Sequence, residues 1–247
     1  NKPAPPEATG FECDKLSPAG AEQHFAGYIG RLTENGGPAD KGRLQGMLID
    51  SWECYTQTWT PAMEGEFAER RGYALRNWLP ALAGYVINDH DTSERFLRDW
   101  RKTISDMLVH NYFGRLGELA RERGMQLYFE TAIGDVSPGD ILQYFGKADI
   151  PMCEFWQPND PHWGGFEAKP IHPTASAAHI YGKPKVAAEA FTNIDHRWND
   201  HPFSFKHLAD FHFALGVNHL VFHTYTHNPL DHVPGTSFGN RIGSPFV

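Results

Sequence analysis

Four short apolar runs that each close on a glutamate constrain this chain more than any other feature. They are Met47-Leu48-Ile49-Asp50-Ser51-Trp52-Glu53, Gln126-Leu127-Tyr128-Phe129-Glu130, Ile150-Pro151-Met152-Cys153-Glu154 and Lys185-Val186-Ala187-Ala188-Glu189. Each has the length of a buried strand, and helical sequence separates most of them. A fifth run, Val217 to His223, leads into Thr224-Tyr225-Thr226-His227. Carboxylates just beyond apolar strands are costly unless they are satisfied or have chemical work to do.

Between the strands, helix signals recur. Ser17-Pro18 and Thr60-Pro61 each read as a cap followed by a proline in the first helical turn. Phe96, Leu97, Trp100, Ile104, Met107, Leu108, Leu116, Leu119 and Ala120 keep a helical stripe over residues 93–123, with Gly124 as the stop. That helix would be roughly 45 Å long, so a break near Gly114 is expected. Further helices are expected over 138–146, 174–181 and 203–215. Strand and helix thus alternate five times, which predicts a parallel sheet with right-handed crossovers. Functional-looking residues cluster after the strands, where a (β/α)8 barrel builds its active site. The expected fold is α/β, a partial (β/α)8 TIM-type barrel holding about strands four to eight, with residues 1–247 forming one domain. The chain has no initiator Met and three prolines in its first six residues, which reads as a piece of a longer polypeptide.

Composition narrows the partners. Thirty acidic against 22 basic residues leave a net charge of −8, unlike a nucleic-acid groove or a surface for anionic lipid. No apolar run reaches the roughly 18 to 20 residues of a membrane span. Cys13, Cys54 and Cys153 are too few and scattered for a disulfide framework. Neither GxGxxG nor GxxxxGK[ST] is present, so the strand ends are not nucleotide loops of those kinds.

Two carboxyl groups facing one pocket suit glycoside hydrolysis: one protonates the leaving oxygen while the other activates water or attacks the sugar. Trp52, Tyr55, Trp59, Trp156, Trp163, Phe191 and Trp198 would offer stacking faces to a pyranose. Apolar walls would raise one carboxyl pKa, as a general acid requires. Asp50 would orient Glu53, bind sugar hydroxyls or be a satisfied structural carboxylate. Trp100, on the helix stripe, reads as core. Cys54 and Cys153 have no sequence-local base and read as structural. His219, His223 and His227 recur every four residues, but in a strand-like run and without HExxH, so zinc hydrolysis is the weaker reading. A hard cation such as Ca²⁺ fits an oxygen-rich site better.

Gly10-Phe11-Glu12-Cys13-Asp14-Lys15, Ile49-Asp50-Ser51-Trp52-Glu53, Trp59-Thr60-Pro61 with Arg70-Arg71-Gly72-Tyr73, Ala188-Glu189-Ala190-Phe191-Thr192 and Phe222-His223-Thr224-Tyr225 carry a resemblance. Together they resemble the catalytic barrel of the α-L-rhamnosidases of glycoside hydrolase family 106. The resemblance implies an inverting, calcium-assisted hydrolase of terminal rhamnose, set among further domains of a larger bacterial polypeptide, periplasmic or secreted, that degrades plant polysaccharides or glycosides. It maps the functional Asp-x-x-Glu motif onto Asp50 and Glu53, with Glu53 as general acid. A strand-four and strand-seven pairing makes Glu189 the general base and Glu154 its rival. Trp52, Glu130, Glu154, Trp156, Trp198, His223 and Tyr225 are then expected to contact substrate, and Glu130 and Glu154 to hold Ca²⁺. The competing expectations are a retaining barrel glycosidase on another sugar and a catalytically inactive carbohydrate-binding module.

Overall fold

The computed structural model describes residues 6–40, 42–52, 57–131, 139–157, 170–193, 200–223 and 232. Among them, five strands form one sheet: β1 Gly46–Ile49, β2 Gln126–Glu130, β3 Ile150–Trp156, β4 Ala187–Thr192 and β5 His219–Phe222. Their spatial order repeats their chain order. The pairs β2–β3, β3–β4 and β4–β5 are parallel. A sheet that advances one strand at a time without reversing direction follows a barrel, not a doubly wound fold. Five such strands are consistent with part of a barrel; their assignment as strands four to eight rests on the resemblance alone.

Two strands differ from their expected bounds. β1 stops at Ile49, so Asp50 follows the strand. The Val186 amide donates to the Asn218 side chain at 2.8 Å, and sheet pairing begins at Ala187. At its other end β4 continues past Glu189 to Thr192.

The described residues fall into two compact units. The first holds residues up to Met47, 57–127 and 139–147 and is largely helical. Its longest helix, His90–Met107, starts earlier than its apolar stripe because Asp89 caps it, accepting from the Thr92 amide at 2.7 Å. The helix widens into π turns over Leu108–Gly114 and resumes at Arg115–Arg121, so the expected break is a bulged segment ending at Gly114. Phe67, Tyr73, Trp78 and Phe96 form an aromatic cluster inside this unit. Trp100 is buried, as its place on the stripe required. Ser17 makes no side-chain cap on the helix Pro18–Phe25. Asp14 organises that turn instead, accepting from the Leu16 amide at 3.0 Å, Gln57 Nε2 at 2.6 Å and the Thr60 hydroxyl at 2.6 Å. Residues 57–60 are thereby fastened to residues 14–16.

The second unit holds Leu48–Trp52, Tyr128–Thr131 and the described residues from Ala148 onward. Here the sheet has two distinct faces. Cys153, Phe155, Ala188, Ala190 and Leu220 pack with residues of the helices Ile171–Ile180 and Pro202–Ala214. His212 belongs to this layer, stacked on Phe155 at 3.9 Å with Nδ1 2.8 Å from the Leu208 carbonyl. The opposite face carries a smaller apolar layer of Tyr128, Ile150, Met152, Ala187 and Val221. Because strand side chains alternate, the residue two positions beyond each of Tyr128, Met152, Ala187 and Val221 lies on that same face. Those residues are Glu130, Glu154, Glu189 and His223. One alternation therefore sets four polar groups above one apolar layer.

Candidate active site

The acidic layer is concentrated at Asp50, Glu130 and Glu189, which bring one carboxylate oxygen each to within 4.8 Å of one another. Glu130 is 1% exposed, Glu189 is partly buried and Asp50 is exposed. Neither oxygen of Glu130 meets a hydrogen-bond donor among the described residues. Its pKa is pushed up to about 11, first by burial, then by contact with the Asp50 carboxyl and by the negative charges of Glu189, Glu154 and Asp50. Two carboxylates in contact repel unless a proton or a cation lies between them. Without a cation, Glu130 therefore keeps a proton at neutral pH and can donate it to Asp50.

Glu189 has partners on two strands. The Thr192 hydroxyl lies 3.3 Å from Oε1, and His223 Nδ1 is also 3.3 Å from Oε1. Thr192 Oγ1 and His223 Nδ1 are 2.9 Å apart, which closes a triangle of three polar atoms. Burial depresses the His223 pKa, opposed by the Asp50 charge, so the imidazole is neutral at neutral pH.

Glu154 stands in register with Glu189 but accepts from the Trp156 indole at 3.1 Å. Trp156, on the same face and half-buried, is held edge-on to that carboxylate. Trp52, two residues beyond Asp50, is buried. Sequence reading placed Phe191 among the sugar-stacking aromatics, and the structure corrects this. Phe191 is 2% exposed and stacks on Phe205 at 4.5 Å and Phe222 at 5.6 Å, with Phe155 edge-on at 5.0 Å. Trp59 is exposed and leans on Trp100 inside the other unit. Glu53, Trp198 and Tyr225 lie outside the described residues, as do Cys54, Tyr55, Trp163 and His227.

The backbone between Ala190 and Thr192 explains the contacts of Glu189. Phe155 pairs with Ala190 and Trp156 with Thr192, so Phe191 is an extra residue in β4. Its φ of 65° is the left-handed conformation that a bulky side chain rarely adopts. Gln157 braces the bulge: its amide donates to the Thr192 carbonyl at 2.9 Å and its Nε2 to the Phe191 carbonyl at 3.2 Å. Gln157, Thr192 and Asn193 are all buried. None of them was singled out as a site residue from sequence; Thr192 stood only inside a family-like motif. An alternating strand would have put Thr192 on the face opposite Glu189, and no local residue pattern announces the bulge.

Oxygen ligands with no competing donor on Glu130 fit a hard divalent cation, whose 2.3–2.6 Å bonds suit carboxylate oxygens less than about 5 Å apart. Glu154 is not part of this three-carboxylate group, whereas Glu130 is. The chemistry of the donors is wrong for zinc, which favours nitrogen and sulfur. His219 lies against the Tyr128 ring, and a four-residue separation along a strand holds it about 13 Å from His223. Cys153 is buried, donates to the Ala187 carbonyl at 3.3 Å and has its pKa raised by burial, which makes it a packing residue.

Comparison with known proteins follows this geometry. A family model described as alpha-L-rhamnosidase, glycoside hydrolase family 106, matches residues 1–246. A solved rhamnosidase from Novosphingobium sp. PP1Y is 37% identical and superposes with a TM-score of 0.84, covering 94% of this chain and 22% of that one. A protein of Formosa agariphila named putative beta-glucuronidase is 36% identical over 235 residues, 95% of this chain and 19% of the relative. The chain thus spans about a fifth of the length of these relatives.

Proposed function

Because the chain belongs to the α-L-rhamnosidase family, glycoside hydrolase family 106, we propose that its strand-end carboxylates hydrolyse terminal α-L-rhamnosides with inversion. The observation that carries this reading is the convergence of Asp50 beyond β1, Glu130 at the end of β2 and Glu189 within β4 in a chain of that family. In the mechanism proposed, Glu53 is the general acid that protonates the glycosidic oxygen. Glu189 is the general base that takes a proton from the attacking water on the other face of the ring. Glu189 suits this part because its Oε1 is held in place by Thr192 and His223. Glu154, tied to Trp156, orients that indole against the sugar.

Ca²⁺ is the cation proposed for the acidic group. Asp50 and Glu130 would hold it, with Glu189 within reach. Bound there, it would polarise sugar hydroxyls and neutralise charge that otherwise keeps Glu130 protonated. Trp52, Trp156 and Trp198 would frame the sugar, and His223 and Tyr225 would bond its hydroxyls. The active protein is proposed to include further domains of the same polypeptide, which would contact the aglycone of a plant polysaccharide or glycoside. No helix among the described residues is long and apolar enough to cross a membrane.

The name of the Formosa agariphila relative raises a second reading, a β-glucuronide as substrate. An uncharged deoxy sugar suits a pocket crowded with carboxylates better than a uronate does, since like charges brought together in a low dielectric repel strongly. Turnover of aryl α-L-rhamnoside and aryl β-D-glucuronide by the full-length protein, beside Glu53→Gln, tests the proposal. Rhamnoside cleavage that disappears in the variant is the expected result. Cleavage of the glucuronide alone would replace rhamnose as the substrate. Sugar binding without turnover on either would favour an inactive binding module.

A further inference from the structure

We propose that Thr192 is a positioning residue for Glu189, brought to it by the extra residue Phe191 in β4. The inference rests on Glu189 being the general base and adds to that reading what aims the carboxylate. In a regular strand Glu189 and Phe191 would share a face, and Thr192 would turn toward the helix layer. The bulge reverses this. Phe191 joins Phe155 and Phe205 in the helix-facing core, while Thr192 comes into register with Trp156, on the face that bears Glu154 and Glu189.

The three polar atoms then admit one consistent order of protons. Thr192 has a single hydroxyl proton to give, and its oxygen lies within reach of both Glu189 Oε1 and His223 Nδ1. Given to Glu189 Oε1 at 3.3 Å, the hydroxyl proton leaves Oγ1 free to accept from His223 Nδ1–H at 2.9 Å. The other tautomer would set the Nδ1 lone pair 3.3 Å from a carboxylate oxygen, lone pair against lone pair. The relay from His223 through Thr192 to Glu189 thus fixes where Oε1 lies, and with it the plane of the carboxylate that would take the proton from water. Gln157 fixes the frame from behind through the Phe191 and Thr192 carbonyls. A base displaced by about 1 Å can lose on the order of a hundredfold in rate, so a single hydroxyl can matter here.

The test compares Thr192→Val, which keeps the shape and removes the hydroxyl, with Thr192→Ser, which keeps the hydroxyl, in the full-length protein on an aryl α-L-rhamnoside. Thr192→Val is expected to lower kcat by about 10- to 100-fold with KM changed less than about threefold. Thr192→Ser is expected to recover most of the rate. Equal impairment of both variants with lowered melting temperatures would make Thr192 merely structural. An unimpaired Thr192→Val beside an inactive Glu189→Gln would overturn the positioning role and leave the base in place. A fully active Glu189→Gln would remove the base and Thr192's role with it. A crystal structure of Thr192→Val reads the same claim without any turnover: Glu189 Oε1 is expected to leave its place beside His223, and an unmoved carboxylate contradicts the proposal.

Discussion

Glu154 and Glu189 face one another in register across neighbouring parallel strands, and Glu189 lies beside the Thr192 hydroxyl and the His223 imidazole. Glu154 accepts from the Trp156 indole. The two carboxylates are therefore not interchangeable, and mutation should separate them. Glu189→Gln is expected to lower kcat by about 10²- to 10⁴-fold, the range of a general base. Glu154→Gln should act chiefly on KM, by about tenfold or less, through the loosened indole. Steady-state kinetics of both variants on one aryl rhamnoside decides, and the reverse ranking would make Glu154 the base.

Glu130 links cation binding to protons. Its pKa of about 11 means that a cation must displace a proton anywhere in the neutral range. Ca²⁺ affinity should therefore rise with pH, by up to tenfold per unit between pH 6 and 9. Calorimetric titration at several pH values checks this, and a pH-independent affinity would place the cation elsewhere.

The same residue sets a stability slope in the cation-free protein. Folded Glu130 holds a proton that the unfolded chain releases above its ordinary pKa of about 4.3. The folded state binds more protons, so stability is full below that value and falls as pH rises toward about 11, by at most ~1.4 kcal/mol per unit. Glu130→Gln should flatten this slope and be the more stable protein at pH 8 in chelator. Urea denaturation at pH 6 and pH 8 measures both, and parallel slopes in the two proteins would contradict the burial argument.

Phe191 combines a left-handed backbone with full burial among three other aromatic rings. Truncation to Ala leaves the backbone strain in place and removes the packing that sustains it. Phe191→Ala is expected to destabilise by about 3 to 5 kcal/mol, visible as a lowered denaturation midpoint. A change below about 1 kcal/mol would show that the ring is not a core residue.

Much of this layout was legible in the sequence because strand alternation is a strict period. An apolar run closing on Glu130 or Glu154 fixes both a strand and the face its carboxylate occupies. Asp89 as cap was not legible, since the apolar stripe begins only at Phe96; the break expected near Gly114 was legible, but not its form as π turns over Leu108–Gly114. At the site, Phe191 was read as a stacking face, and regular alternation would indeed set it on the face of Glu189, two residues before it. The bulge that turns it into the core depends on Gln157, from the adjacent strand's end, bonding to its carbonyl. Thr192 was hidden for the same reason: three residues from Glu189, it reaches that carboxylate only where the strand breaks its own period. The grouping of Asp50 with Glu130 and Glu189, without Glu154, depends on how far each side chain reaches across the sheet.

The most direct measurement is the product formed from an aryl α-L-rhamnoside by full-length Glu189→Ala with added azide. If Glu189 is the base of an inverting hydrolase, hydrolysis is lost, and azide, which needs no base, restores turnover to give the β-configured rhamnosyl azide. An α-configured azide, or hydrolysis at the wild-type rate without azide, would contradict the account.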